Sequence, residues 1–142
     1  MVKLSAIFLT ATAALVAAAP TTTNIFQDKH IFKRDVNCRD DLGAGALASV
    51  PDSVACINYL AGLGNQPCVA SVSGTVFCRR GQTQITGISI LGQGQTATSS
   101  CNDVARGAGQ IMDKCTRGDG TVRGANAAWG NGNLIVDIRR VP

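Results

Sequence analysis

Six cysteines in one short segment are the feature that most constrains the fold of this 142-residue chain. They are Cys38, Cys56, Cys68, Cys78, Cys101 and Cys115. An even number of cysteines in a small domain predicts a disulfide framework, here of three bonds. Zinc binding is the competing use of these thiols, but the segment has no Cys-x-x-Cys pair and no histidine. We therefore expect disulfides and no metal site.

The segment 100–115 is predicted to be a helix, because apolar residues recur there at steps of three and four. A continuous helix of this length separates Cys101 from Cys115 by about 21 Å, so these two cysteines cannot bond each other. Six cysteines allow fifteen pairings; three of them contain this bond, and twelve remain. We expect Gly107 and Gly109 to let the helix backbone lie close to a sheet.

A second helix is predicted from Asp52 or Ser53 to Leu63, with Asp52 as its N-cap. The later helix has Ser100 and Asp103 as a variant of the capping box. Both helices carry cysteines, so we expect disulfides to tie them to other elements.

Three further segments have the composition and alternation of strands: 68–72, 75–79 and 84–91. Ser73-Gly74 is a turn signal between the first two. A hairpin at this turn would place Cys68 nearly opposite Cys78, so the sequence favours a Cys68–Cys78 disulfide.

Two more strands are predicted after the later helix, over 121–124 and 134–139. In the second of them, Leu134, Val136 and Ile138 should face the core, while Asp137 and Arg139 should face solvent. Together these elements predict an α+β domain, stapled by disulfides, with an antiparallel sheet and two helices packed on it.

The first 34 residues have the layout of a secretory leader followed by a propeptide. Lys3 precedes an uncharged run that ends in small residues, with a cleavage site after Ala19. The propeptide ends in Lys33-Arg34, where we expect a kexin-type protease to cut. The predicted division is a signal peptide over 1–19, a propeptide over 20–34 and a secreted domain over 35–142.

This processing would change the charge of the protein. The whole chain carries thirteen Lys and Arg against nine acidic residues. Residues 1–34 hold four of the basic residues and one acidic residue, which leaves nine against eight and a net charge of +1. We therefore expect no nucleic-acid partner, although Arg79-Arg80 and Arg139-Arg140 can form a local basic patch. No later apolar run reaches the roughly 18 residues of a membrane helix, so we expect no membrane span.

Acid–base chemistry has few candidates in this composition. His30 is the only histidine and lies in the predicted propeptide, and the chain has no glutamate. The predicted mature domain therefore lacks a Ser-His or Cys-His pair, and we expect no enzyme activity and no cofactor. A glycosidase needs only two carboxylates, and the candidates for such a pair are Asp40, Asp41, Asp103 and Asp113.

Binding has three candidate residues. Arg79 and Arg80 follow Cys78 directly, and Trp129, the only tryptophan, lies in a turn-rich loop predicted over 128–133. Tryptophan and arginine are enriched among the residues that dominate binding energy in protein interfaces.

The order of elements resembles that of the fungal killer-toxin family typified by killer protein four of smut viruses. The resemblance lies in the opening Val36-Asn37-Cys38-Arg39, in a strand ahead of a cysteine-bearing helix over 84–115, and in the closing strand 132–137. It implies an α/β sandwich and an antifungal toxin that acts on a calcium channel of the target cell. This chain has fewer cysteines than that family, and Arg79 and Arg80 are the nearest counterparts of its exposed basic residue.

The chain is also similar to the necrosis-inducing effectors of plant-associated fungi, which are likewise small, secreted and cysteine-stapled. Our leading hypothesis is a monomeric secreted toxin or effector that binds an unknown target-cell protein on or near competing fungal or plant cells. The alternatives are a non-toxic extracellular or cell-wall-associated structural protein and a small aspartate-dependent carbohydrate-active enzyme.

Overall fold

The computed structural model describes residues 35–142. The predicted signal peptide and propeptide, with the processing pair Lys33 and Arg34, lie outside the described residues.

The domain consists of eight strands and two α-helices within the described residues. In chain order they are β1 Ala48–Ser49, α1 Val50–Gly62, β2 Pro67–Ala70, β3 Thr75–Arg80, β4 Thr83–Ser89, β5 Ala97–Ser100, α2 Cys101–Cys115, β6 Thr121–Val122, β7 Gly124–Ala128 and β8 Asn131–Arg140. The main sheet is antiparallel with the strand order β3-β4-β8-β7, and β1–β6 and β2–β5 form two small antiparallel ladders. Both helices pack on the main sheet, α1 against β3 and β4 and α2 against β7 and β8. The fold is therefore α+β, as predicted.

Each helix has a serine as its N-cap, Ser49 for α1 and Ser100 for α2. The Ser100 hydroxyl accepts a hydrogen bond from the backbone N–H of Asp103 at 3.1 Å, as predicted for α2. The predicted cap of α1 is wrong, because the helix begins at Val50 and the hydroxyl of Ser49, not the carboxylate of Asp52, accepts the capping bond. Pro51 suits this earlier start, since a proline in the first helical turn loses no hydrogen bond.

The prediction of a Cys68–Cys78 disulfide across a hairpin is wrong. The Ser73-Gly74 turn exists, and Gly74 has the positive φ of 96° that suits glycine, but β2 and β3 on its two sides do not pair. Instead β2 pairs with β5, and β3 pairs with β4 across the tighter turn at Gly81. Two strands separated by a turn signal therefore belong to different sheets.

The three disulfides each tie a helix to another element. They are Cys38–Cys115, Cys56–Cys78 and Cys68–Cys101. The prediction that Cys101 and Cys115 do not bond each other is confirmed, and each end of α2 is tied elsewhere, to β2 and to the N-terminal segment. The small core is thus held together by covalent bonds as well as by apolar packing.

The core lies between the two helices and the inner face of the main sheet. Leu134, Val136 and Ile138 of β8 are fully buried there, as predicted. Gly107 of α2 lies so close to β7 that a Cβ would come within 2.6 Å of the carbonyl oxygen of Ala127. The close approach predicted for the helix is therefore confirmed at Gly107.

At Gly109 the same prediction is wrong, because nothing lies within 4 Å of the position its Cβ would take.

The loop predicted over 128–133 is shorter than expected. Trp129 and Gly130 make a tight turn between β7 and β8, and β8 already begins at Asn131.

Candidate functional site

Two arginines lie in one row on the outer face of the main sheet, the face without helices. Gln84 of β4 pairs with Arg79 of β3 on one side and with Arg139 of β8 on the other. Neighbouring strands are about 4.8 Å apart, so the backbones at the two arginines are about 10 Å apart. Strand pairing therefore sets the spacing of these two cations.

Thr83, the residue before Gln84 in β4, lies between the other members of the two arginine pairs. Thr83 pairs with Arg80 on one side and with Arg140 on the other. Thr83 is buried, and its hydroxyl accepts a hydrogen bond from the backbone N–H of Ser49 at 3.0 Å. Arg80 and Arg140 are exposed. All four arginines of the two pairs thus lie at one end of the main sheet.

A buried carboxylate lies beside this row. The side chain of Asp137 is only 7% exposed, because its Oδ2 lies 2.6 Å from Nε of Arg139 and its Oδ1 lies 3.7 Å from Nη2 of Arg123. The prediction that Asp137 faces solvent is therefore wrong: it is on the outer face, but two guanidinium groups cover it. Arg139 remains about one third exposed.

Arg123 is the least accessible arginine at this end, with 11% of its side chain exposed. Burial lowers its pKa, because the charged form is desolvated; the nearby Asp137 opposes this effect, and Arg139 adds to it. Its Nε has no hydrogen-bond partner among residues 35–142. The guanidinium groups of Arg123 and Arg139 are thus packed against the single carboxylate of Asp137, so that positive charge is in excess.

Arg79 holds the end of the described chain against β3. Its Nη2 donates a hydrogen bond to the backbone oxygen of Pro142 at 2.6 Å, and its Nε donates to the carbonyl of Gly81 at 3.2 Å. The guanidinium group of Arg79 is therefore partly committed to the protein itself.

We call this region the arginine end of the sheet, and its charge is out of proportion to the whole domain. It contains Arg79, Arg80, Arg123, Arg139, Arg140, Asp52 and Asp137. Asp52 belongs to it because, with Arg140, it lines a cavity of about 250 Å³ beside the buried Thr83. Five basic and two acidic residues give a net charge of +3. The rest of residues 35–142 has four basic and six acidic residues, a net charge of −2.

Trp129 does not belong to the arginine end. It lies at the opposite end of β8, whose nine steps from Asn131 to Arg140 span about 30 Å. The Arg106 guanidinium carbon lies 4.2 Å from the centre of the Trp129 ring, and the Trp129 backbone N–H donates to the carbonyl of Asp103 at 3.0 Å. The structure therefore brings two of the predicted binding residues, Arg79 and Arg80, together and places the third elsewhere.

Three of the aspartates considered for hydrolysis each face an arginine instead of another carboxylate. They form the ion pairs Asp40–Arg117 at 2.9 Å, Asp41–Arg39 at 3.1 Å and Asp103–Arg106 at 3.9 Å. The hydrogen bond from Arg39 is the main reason why the pKa of Asp41 lies below its usual value. In the part of the chain that is described, no group of three or more potential metal ligands occurs.

Sequence reasoning missed three members of the arginine end: Asp52, which was predicted only as a helix cap, Arg123 and Asp137. Arg123 comes just before a strand that lacked a clear pattern, since β7 contains mainly Gly and Ala. The alternation in β8 indicated the outer face for Asp137, but it could not reveal the arginines that bury it there.

The molecule is a small α+β domain with three disulfides, a construction typical of extracellular proteins. Neither α1 nor α2 is long and apolar enough to cross a membrane.

The model of one protein family, described as a domain of unknown function (DUF8794), matches residues 33–140. The chain belongs to this family, and the match includes every helix and strand described above. No curated protein matches the chain.

Proposed function

We propose that this protein is a small secreted toxin or effector of fungal type, which acts by binding a target on or near competing fungal or plant cells. The observation that carries this proposal is the arginine end, where a net charge of +3 is concentrated on a domain of net charge +1. Concentrated charge of one sign steers a partner of opposite charge to one side of a protein.

Rigidity also supports a function in binding. The arginines stand on paired strands, and the Cys56–Cys78 disulfide fixes β3 to α1 immediately ahead of Arg79. A binding group that is held in place before contact loses less conformational entropy when the partner binds. The arginine end is therefore suited to recognition and needs no acid–base chemistry.

The proposed target is a protein of the target cell. The resemblance to the killer toxins favours a calcium channel, with Arg79 and Arg80 in the place of the exposed basic residue of that family. The resemblance to necrosis-inducing effectors favours a plant component instead. Both versions use the same end of the sheet.

The test begins with secretion of the full chain from a fungal host, followed by purification of the processed product. The product is applied to competitor fungi and to plant leaf tissue, and we expect growth inhibition or necrosis. The double variant Arg79→Gln/Arg80→Gln should lose this effect. The control Lys114→Gln/Arg117→Gln removes the same charge outside the arginine end and should retain it.

Absence of inhibition, necrosis and partner capture with the wild-type product would rule out the proposal. Quantitative retention on isolated fungal wall or chitin without any toxic effect would instead support a structural role in the wall.

A further inference from the structure

We propose that the arginine end binds a linear polysaccharide whose sugar units carry carboxylates. This inference goes beyond the proposed function, which names a protein target, because it adds a second ligand, a polysaccharide, for the same end of the sheet. It rests on the type of the basic residues, on their spacing and on the side chains around them.

The basic residues of the arginine end are all arginines. The single lysine of residues 35–142 is Lys114, on α2. The planar guanidinium group donates two parallel hydrogen bonds to one carboxylate, whereas the lysine ammonium acts as a point charge. The residue type therefore favours ligands that carry carboxylates or groups of similar shape.

Two of these guanidinium groups are available to a ligand. Arg80 and Arg140 are exposed and make no ion pair or side-chain hydrogen bond with any other described residue. Arg139 is partly available, since its Nε faces Asp137 while one third of its side chain is exposed. These donors need no rearrangement of the fold to meet an anion.

The spacing favours a chain of anions over a single small anion. Arg80 and Arg140 both pair with Thr83, so their backbones are about 10 Å apart across β4, as are those of Arg79 and Arg139 across Gln84. Arg79 and Arg139 cannot converge freely, because Arg79 is hydrogen-bonded to Pro142 and Arg139 forms an ion pair with Asp137. Because successive side chains of a strand point to opposite faces, Arg80 and Arg140 lie on the face of Thr83, and Arg79 and Arg139 lie on the other face. A polymer lying across the strands at this end meets Arg80 and Arg140 with successive charged groups.

The neighbouring side chains distinguish this polymer from other polyanions. The exposed residues next to Arg80 and Arg140 are Gly81 and Gln82. Gln84 is half-buried on the other face, where its side-chain amide donates a hydrogen bond to the hydroxyl of Thr86 at 2.8 Å. Amide groups hydrogen-bond to sugar hydroxyls. Single-stranded nucleic acids are held largely by stacking on aromatic residues, and Trp129 is about 30 Å away. A lipid surface calls for apolar side chains that insert into it, and Gly81 and Gln82 supply none.

The experiment measures the binding of the purified secreted product to polygalacturonate by isothermal titration at low and physiological salt. Fully methyl-esterified polygalacturonate is the matched probe, because it has the same backbone without the charges. We expect binding to the free acid that weakens as salt is added, and none to the ester. The double variant Arg80→Gln/Arg140→Gln should bind at least about tenfold more weakly.

The control variant is Lys114→Gln/Arg117→Gln, which has the same net charge and should bind like the wild type. Several outcomes would overturn the inference: no binding to the acid, equal binding to the ester, equal loss in the control, or tighter binding to single-stranded RNA or to anionic phospholipid vesicles. The result is independent of toxicity. Toxicity without polygalacturonate binding removes this inference alone, and polygalacturonate binding without toxicity or capture of a target-cell protein removes the proposed function alone.

Discussion

Replacement of Gly107 by alanine should push α2 away from the main sheet. The added Cβ would lie 2.6 Å from the carbonyl oxygen of Ala127 and 3.1 Å from the Cα of Ala128. Both neighbours are backbone atoms of β7, so no side chain can rotate out of the way. The shift would also stretch the hydrogen bond from Asn126 to the carbonyl of Gly107, which is 3.2 Å long.

The expected cost follows from two opposing effects. Overpacking a core typically costs about 1–3 kcal/mol, whereas replacing glycine by alanine inside a helix contributes up to about 1 kcal/mol of stability. Gly107→Ala should therefore destabilise the domain by about 1–2 kcal/mol. Gly109→Ala is the matched control, because nothing lies within 4 Å of its new Cβ, and it should stabilise the domain by up to about 1 kcal/mol.

Urea unfolding with the disulfides intact measures both variants against the wild type, at constant slope of the unfolding free energy with denaturant. The same chemical change, two residues apart on one helix, should give shifts of opposite sign. A Gly107→Ala variant as stable as the wild type would refute the conclusion that glycine sets the distance between α2 and β7.

Three further predictions concern the charged residues. A protease specific for dibasic pairs should cut the native precursor after Arg34 but spare Arg80, which borders the tight Gly81 turn, and Arg140, which is paired in β8; after reduction and unfolding all three sites should be cut, as mass spectrometry of the fragments will show. Asp137→Asn should lower the free energy of unfolding by about 2 kcal/mol or more, because it leaves Arg123 and Arg139 side by side without a carboxylate; an unchanged urea midpoint would contradict this. Arg106→Gln should cost up to about 1 kcal/mol and change the fluorescence of Trp129, whose ring it covers, and an identical emission spectrum would count against that contact.

Elements with strong local patterns were predictable from the sequence. The helix over 101–115 combines regular apolar spacing with a serine cap, and both signals lie within the element itself. The inward-facing residues of β8 follow from simple alternation along a single strand. In both cases the tertiary structure agrees with what the local sequence favours.

Pairing between distant segments was not predictable. The turn at Gly74 has the same local signature as a hairpin turn, and only the competing pairings of β2 with β5 and of β3 with β4 decide its role. The predicted disulfide between Cys68 and Cys78 is wrong for this reason. The true partner, Cys101, lies beside Cys68 only because β2 pairs with the strand that leads into α2.

The candidate site shows the same limit. The sequence shows two basic pairs, Arg79-Arg80 and Arg139-Arg140. Because they are about 60 residues apart, nothing in the sequence indicates that they lie close together in the fold. They meet because residues 83 and 84 of β4 pair with both flanking strands. Charge segregation in this domain is therefore a property of its strand order and cannot be obtained from its composition.

The Cys38–Cys115 disulfide has a consequence for the fate of the protein outside a cell. It joins two residues that are 77 positions apart in the sequence, and the covalent ring it closes contains the other four cysteines. A single peptide bond cut anywhere inside this ring opens the backbone but leaves the two pieces attached to each other. An extracellular protease that cuts once between Cys38 and Cys115 therefore releases no fragment until the disulfides that bridge the cut are also reduced.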